Sequence, residues 1–203
     1  MGCVSPMSGC LGHDKLFFKN FAGAPYVYVA YGSYMEYYYK RMLSPVGMLR
    51  LIAHNEGLAA VLWEHDTPGR AQGDDVAVLQ EDYPVLGETE LQLTEYFRGE
   101  REQFTLKLSF AGTPFQQHVW QALLTIPFGE TRTYGEMARQ VGSQCGGRAI
   151  GGAVNRNPIS IIAPCHRVIG STGKLVGFAG GLENKAYLLK LEKEKRNPSL
   201  WGV

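Results

Sequence analysis

The sequence predicts an α/β fold in two parts: a small antiparallel sheet domain followed by a mostly helical domain with a helix-turn-helix. Three observations predict it. Met35 to about Asp66 reads strand–turn–strand, Thr113 and Thr133 each open a helix with a capping box, and two short helices flank a Gly-rich turn. A chain of 203 residues, 45% apolar and 19% charged, is long enough for one large or two small domains with a real core.

Residues 1–34 are rich in Gly, Tyr and small side chains and lack periodicity, so they are expected to be a poorly ordered N-terminal extension. The N-terminal α/β domain is then expected over 35–112. Ser44-Pro45-Val46-Gly47 and Asn55-Glu56-Gly57 are turns between strands, the last of them the apolar run Leu58–Trp63. Residues 66–75 read as loop. Gly87–Phe97 reads as a helix with Leu91, Thr94, Tyr96 and Phe97 near one side and Gly99 just past its end. Phe104, Leu106, Leu108 and Phe110 alternate, as in a half-buried strand or an extended linker.

The C-terminal domain is expected over 113–203. Thr113-Pro114 with Gln116 starts a helix that buries Phe115, Val119, Ala122 and Leu123. Thr133 with Glu136 starts a second helix, which Gly142 stops. A third runs from Arg148 to about Arg156, before Asn157-Pro158.

No apolar run reaches the roughly 20 residues that span a bilayer, and no basic segment leads into an apolar one as in a secretory signal. Met1-Gly2-Cys3 hints at acylation, but Pro6 stands where the myristoylation pattern wants Ser or Thr. The four cysteines (Cys3, Cys10, Cys145 and Cys165) are scattered, which fits reduced thiols and a cytoplasmic protein, nuclear in a eukaryote. Cys3, Cys10 and His13 lack a fourth ligand at sensible spacing, so no metal is expected.

The net charge is only +1, but residues 131–174 hold six basic side chains (Arg132, Arg139, Arg148, Arg156, Arg167 and Lys174) against one acid, Glu136. That excess of +5 suits a polyanion or an ordinary solvated basic face.

After the buried run Ile159-Ser160-Ile161-Ile162-Ala163 comes Pro164-Cys165-His166-Arg167-Val168, unusual for pure packing. This segment resembles the active-site signature of the methylated-DNA–protein-cysteine methyltransferases, the O6-alkylguanine-DNA alkyltransferases. The resemblance extends through Gly112-Thr113-Pro114-Phe115-Gln116, Ile126-Pro127-Phe128-Gly129, Thr133-Tyr134-Gly135-Glu136, Arg148-Ala149-Ile150-Gly151, Asn157-Pro158-Ile159, Gly177-Phe178-Ala179-Gly180-Gly181 and Lys185-Ala186-Tyr187-Leu188-Leu189. It is firm from Gly112 onward and looser before.

The resemblance implies a ribonuclease-H-like N-terminal domain and irreversible transfer of an alkyl group from O6-alkylguanine, or O4-alkylthymine, in DNA to Cys165. The transfer needs no cofactor and happens once per chain, because a thioether has no easy leaving route. A thiolate is the soft nucleophile this displacement wants, and a buried thiol needs help to ionise. The resemblance assigns that help to His166, acting through a water and backed by Glu192. Independently, Glu192 lies four residues past Leu188 and three past Leu189, on the predicted buried face, where a carboxylate wants a partner.

By the same resemblance Asn157 braces the active-site loop, and Tyr134 displaces the target phosphate and hydrogen-bonds the extruded base. Arg148 fills the vacated stack from the minor groove, with Ala149, Gly151 and Arg156 on the DNA-facing helix. Cys165, Val168, Phe178, Ala179 and Ser160 line the base and alkyl pocket. The backbone carbonyls of Cys165 and Val168 read the guanine amine, and the Ala179 N–H faces O6. From the residues alone, Tyr134 is equally a helix core residue and Arg148 a simple phosphate contact.

The expected partner is double-stranded DNA holding an alkylated guanine, bound by a monomer through the minor groove. The family often has Tyr and Ser where Phe178 and Ala179 stand, and some members have Pro where Ser160 stands. The zinc ligands of some animal members have no counterparts around His54 and Ala59.

Because 1–34 precede both the periodic segments and the resemblance, a chain beginning at Met35 is expected to keep full single-turnover activity and its melting temperature. A large loss of soluble protein would show that the segment packs.

Overall fold

The computed structural model describes residues 35–67, 69–143 and 146–196. The expectations for 1–34, including those for Cys3, Cys10 and His13, lie outside these residues, as does Cys145. The described residues from Glu36 onward group as one compact unit.

The predicted meander is present. β1 (Tyr38–Ser44), β2 (Gly47–His54) and β3 (Gly57–Trp63) pair antiparallel, turning at Pro45-Val46 and Asn55-Glu56. Every residue of β3 is buried, which explains its unbroken apolar sequence: both faces are covered. The predicted loop continues into a short strand, β4 (Val78–Leu79), which pairs parallel with β1 and completes the order β3-β2-β1-β4. Two exposed residues after a Gly- and Asp-rich loop leave no periodic signal for it.

α1 (Pro84–Arg98) begins three residues earlier than expected, with Pro84 in its first turn and Gly99 at φ 71 closing its end. Its buried side is Leu86, Thr89, Gln92, Leu93 and Tyr96, not the side containing Leu91, which is exposed. Taking Pro84 as the start brings Leu86 into the pattern, and the spacing 86, 89, 93, 96 then follows one helix face.

Residues 104–110 form the extended linker rather than a strand. They run past the edge of β3, where Leu58 N–H donates to the Lys107 carbonyl at 2.9 Å and Ser109 N–H to the Leu58 carbonyl at 2.8 Å. Alternation survives because Phe104, Leu106, Leu108 and Phe110 all pack against the sheet core.

α2 (Pro114–Leu123) and α3 (Tyr134–Gln140) carry both predicted capping boxes, Thr113/Gln116 and Thr133/Glu136. α2 buries Val119, Trp120, Ala122 and Leu123. Phe115 is half exposed, since the neighbouring turn presents the larger Trp120 to the core. α3 and α4 (Gly146–Asn155) form the helix-turn-helix around Met137, Ile150, Ala153 and Val154. A short 3-10 turn, Cys165–Arg167, leads into β6 (Val168–Ile169), and α5 (Leu182–Arg196) closes the described chain. β6 pairs parallel with β5 (Arg132–Thr133). That pairing, invisible in sequence because each strand is two residues long, seats the start of α3 beside the Cys165 turn. Among the described residues no helix is long and apolar enough to cross a membrane.

Candidate active site

Cys165 sits on the 3-10 turn, buried and free. Two hydrogen-bonded features shape the approach to it. Asn157, fully buried, donates from Nδ2 to the carbonyls of Ala163 (2.8 Å) and Ile159 (3.3 Å) and accepts from Ile159 N–H at 3.1 Å. The Asn157 side chain also favours the Cys165 thiolate, lowering the thiol pKa against the effect of burial. Ile161 then adopts φ 70, and Ile162 N–H donates to the Ser160 carbonyl at 2.8 Å around it. Left-handed backbone at a β-branched residue costs on the order of 1–3 kcal/mol and persists only where surroundings over-determine it. Here they do. Ile161 is fully buried, and the stretch is pinned to β3 by Val61 N–H to Pro158 O (2.9 Å) and Ser160 N–H to Val61 O (3.3 Å).

The expected His–Glu pair is present. His166 Nε2 lies 2.7 Å from Glu192 Oε1, with both side chains fully buried. Burial alone would push the Glu192 carboxyl up, but hydrogen bonds and charge from His166 and Arg167 outweigh it and hold the group well below the usual carboxylate range. Glu192 is therefore an acceptor, so Nε2 carries the imidazole proton and Nδ1 is left with a lone pair. That Nδ1 is buried and has no hydrogen-bond partner among the described residues. Burial lowers the His166 pKa against the opposing pull of Glu192. Burial likewise raises the Cys165 thiol above its ordinary value, opposed by Asn157, Lys185 and Arg70.

Four participants went unrecognised in the sequence. Arg167, counted above as surface charge, is buried. It binds Glu192 with Nε to Oε2 and Nη2 to Oε1, each at 2.9 Å, and donates to the Ile126 carbonyl at 2.6 Å. The basic excess of 131–174 is correspondingly smaller at the surface. Tyr96 of α1 donates its hydroxyl to Glu192 Oε1 at 2.7 Å, and Gly129 N–H donates to Oε2 at 3.0 Å. Gly129 has φ 71, and a Cβ there would come 2.9 Å from Arg196, so glycine suits this donor. Lys185, also fully buried, donates to the carbonyls of Val168 (2.6 Å) and Val176 (2.9 Å). Its spacing to Leu188 and Glu192, three and seven residues, was the available signal.

The remaining predicted residues divide in two. Tyr134 is half-buried at the start of α3, its hydroxyl 3.4 Å from the Val176 carbonyl; burial and then the nearby Cys165 raise its pKa. Gly151 faces the Tyr134 ring with van der Waals room, while Gly152 is open. Arg148 and Arg156 are exposed on and just beyond α4, with Ala149 partly buried. Val168 is buried, and Phe178 and Ala179 are half-buried on the 177–181 loop. The Ser160 hydroxyl is already engaged, accepting from Trp63 Nε1 at 3.1 Å. From the sheet side Arg70 donates to the carbonyls of Asn155 (2.6 Å) and Asn157 (3.3 Å), joining the end of α4 to the active-site bend.

The chain as a whole is similar to known proteins. The ribonuclease-like domain of 6-O-methylguanine DNA methyltransferase matches residues 37–110, and the DNA-binding domain matches residues 114–194. The methylated-DNA–protein-cysteine methyltransferase of Mycobacterium leprae is 48% identical over 163 residues, 79% of this chain and 95% of that one. The chain belongs to this methyltransferase family. The Methanosarcina acetivorans member is likewise 48% identical, over 76% of this chain and 97% of its own. Mycobacterium tuberculosis O6-methylguanine methyltransferase has a similar structure, with a TM-score of 0.70 and 43% identity over 78% of this chain and 94% of that one. The structure of the M. tuberculosis OGT in complex with DNA gives the same values.

Folded His166 and Glu192 both bind protons less readily than in an unfolded chain, so acid should destabilise the protein. Loss of stability is expected to begin below about pH 6.5 from His166. A second loss should begin below about pH 4.3 from Glu192 and continue toward its lower folded pKa. Glu192→Gln should abolish the second loss and lower stability at neutral pH by about 3–5 kcal/mol, because Arg167 is left buried without its counter-charge. It should also slow transfer more than it weakens DNA binding and shift the pH–rate profile upward. Thermal melts across pH with single-turnover kinetics check this, and an unchanged profile would remove Glu192 from the mechanism.

Proposed function

We propose that this chain repairs alkylated DNA by direct reversal, taking a methyl or larger alkyl group from O6 of guanine, or O4 of thymine, onto Cys165 once and irreversibly. The observation that carries the reading is the buried thiol followed in the chain by a His whose Nε2 is committed to Glu192. The lone pair on Nδ1 is then the base. The thiol proton passes toward His166, through a water in the family's manner, and the thiolate Sγ attacks the alkyl carbon. The C–O6 bond breaks, its electron pair goes to the base, and the proton given up by the thiol restores neutral guanine. The products are a thioether on Cys165 and an unmodified base.

The residues around this step take separate roles in the reading. Burial opposes ionisation of the thiol, and Lys185 and Asn157 favour it; Glu192 stabilises the imidazolium formed in passing. Tyr134 and Arg148 open the duplex, Arg148 filling the gap left by the flipped base; flipping costs a few kcal/mol. Arg156, Ala149 and Gly151 face the minor groove. Val168 and Cys165 carbonyls read the base amine, with Phe178, Ala179 and Ser160 around the O6 side. Lys185 already occupies one lone pair of the Val168 carbonyl, so this reading uses the other. The protein works as a cytoplasmic monomer without a cofactor, with 35–112 as scaffold and 113–203 as the DNA-binding and acceptor domain.

Intact mass after incubation with a duplex bearing one O6-methylguanine should rise by one methyl per chain. Peptide mapping should place it on Cys165, and Cys165→Ala should accept none. A methyl on Cys145, or multiple turnover, would overturn the reading.

Arg148→Ala should slow transfer in duplex DNA far more than it lowers affinity, with a smaller defect on a mismatched lesion and almost none on free O6-alkylguanine. Arg148→Lys should rescue little, since Lys keeps the charge but has no planar group to stack. Equal loss on all three substrates would reduce Arg148 to a phosphate contact.

A further inference from the structure

The loop holding Phe178, Ala179 and Gly180 has no regular secondary structure, yet the proposed chemistry needs the Ala179 backbone at a fixed place. One side chain of the sheet half touches both neighbours of Ala179. Trp63, the last residue of β3, is nearly fully buried, and its ring meets Phe178 edge-on with centroids 5.5 Å apart. A Cβ built on Gly180 would lie 2.4–2.6 Å from three atoms of the indole, so the glycine backbone rests directly on that ring. Gly180 is outside the left-handed region, so its lack of a side chain is needed for this approach and not for its conformation. The indole N–H is spent on Ser160 Oγ at 3.1 Å, in the bend that leads to Cys165. A second tie holds the same point of the loop: Asn184 Nδ2 donates to Gly180 O at 2.9 Å and to Val46 O, in the β1–β2 turn, at 3.1 Å.

We propose that Trp63 is a positioning residue for the alkylated base, setting the distance between the Ala179 backbone and Cys165 by bearing on Gly180 and Phe178 while holding Ser160. The proposal rests on the alkyl-transfer reading and extends it, since it makes the sheet half part of the base pocket. It also gives Ser160 and Gly180 complementary parts around one ring. A Ser at 160 supplies the acceptor that a buried indole N–H requires, and a bare glycine supplies the space for the ring.

The test is single-turnover transfer on duplex DNA carrying O6-methylguanine, measured across DNA concentrations, with thermal melts alongside. Trp63→Phe keeps an aromatic ring but loses the donor, and Gly180→Ala puts a methyl into the ring. Each should lower the limiting transfer rate on the order of tenfold, because small misplacements of reacting groups are costly. The half-saturating DNA concentration should stay within about twofold, a split that a general folding defect would not produce. Gly180→Ala should add no further loss in a Trp63→Leu background, where the ring is gone. If wild type transfers the methyl to Cys165 and both single variants match its limiting rate, Trp63 does not position the base. Fully additive losses in the double variant would also overturn the proposal. Failure of wild type itself to transfer would overturn the underlying reading together with this one.

Discussion

Glu192 is a carboxylate with no solvent exposure. An ion taken out of water costs several kcal/mol unless donors replace its hydration, and the fold supplies four donors from three places. Tyr96 comes from α1, the Gly129 amide from the turn after α2, and His166 and Arg167 from the 3-10 turn, all onto a residue of α5. One side chain thus fixes where the first helix, the active-site turn and the C-terminal helix stand relative to one another. Removing any donor leaves a buried charge partly unpaired, so the site and the fold share one constraint.

The same carboxylate decides the state of His166. Arg167 satisfies much of the negative charge through a paired, side-on contact, so the imidazole is needed as a donor and not as a permanent cation. The lone pair is thereby turned to Nδ1. Around the thiol the balance is similar: burial favours the protonated form, and Asn157, Lys185 and Arg70 pull the other way.

The sheet half acts mainly as a support. β3 holds the bend containing strained Ile161 through two backbone hydrogen bonds, and Arg70 donates to the carbonyls of Asn155, at the end of α4, and of Asn157. The strain at Ile161, close to Cys165, is sustained by the Asn157 side chain and the edge of β3, which hold the bend from both sides.

The sequence alone determined what depends on local chemistry. The capping boxes at Thr113 and Thr133, the meander turns and the buried face holding Glu192 were all legible, because each is set by residues within a few positions of one another. The Cys165–His166 pair was legible through its signature. Tertiary structure decided the rest. Arg167 looked like surface charge because its partner is twenty-five residues away, and Tyr96 looked like an ordinary core aromatic because its hydroxyl finds Glu192 across the unit. β4, β5 and β6 are two residues long and exist only by pairing with distant strands. The left-handed Ile161 opposes its own local preference and is held there by long-range contacts. Such features depend on which distant groups meet, and a pattern read along the chain does not carry that information.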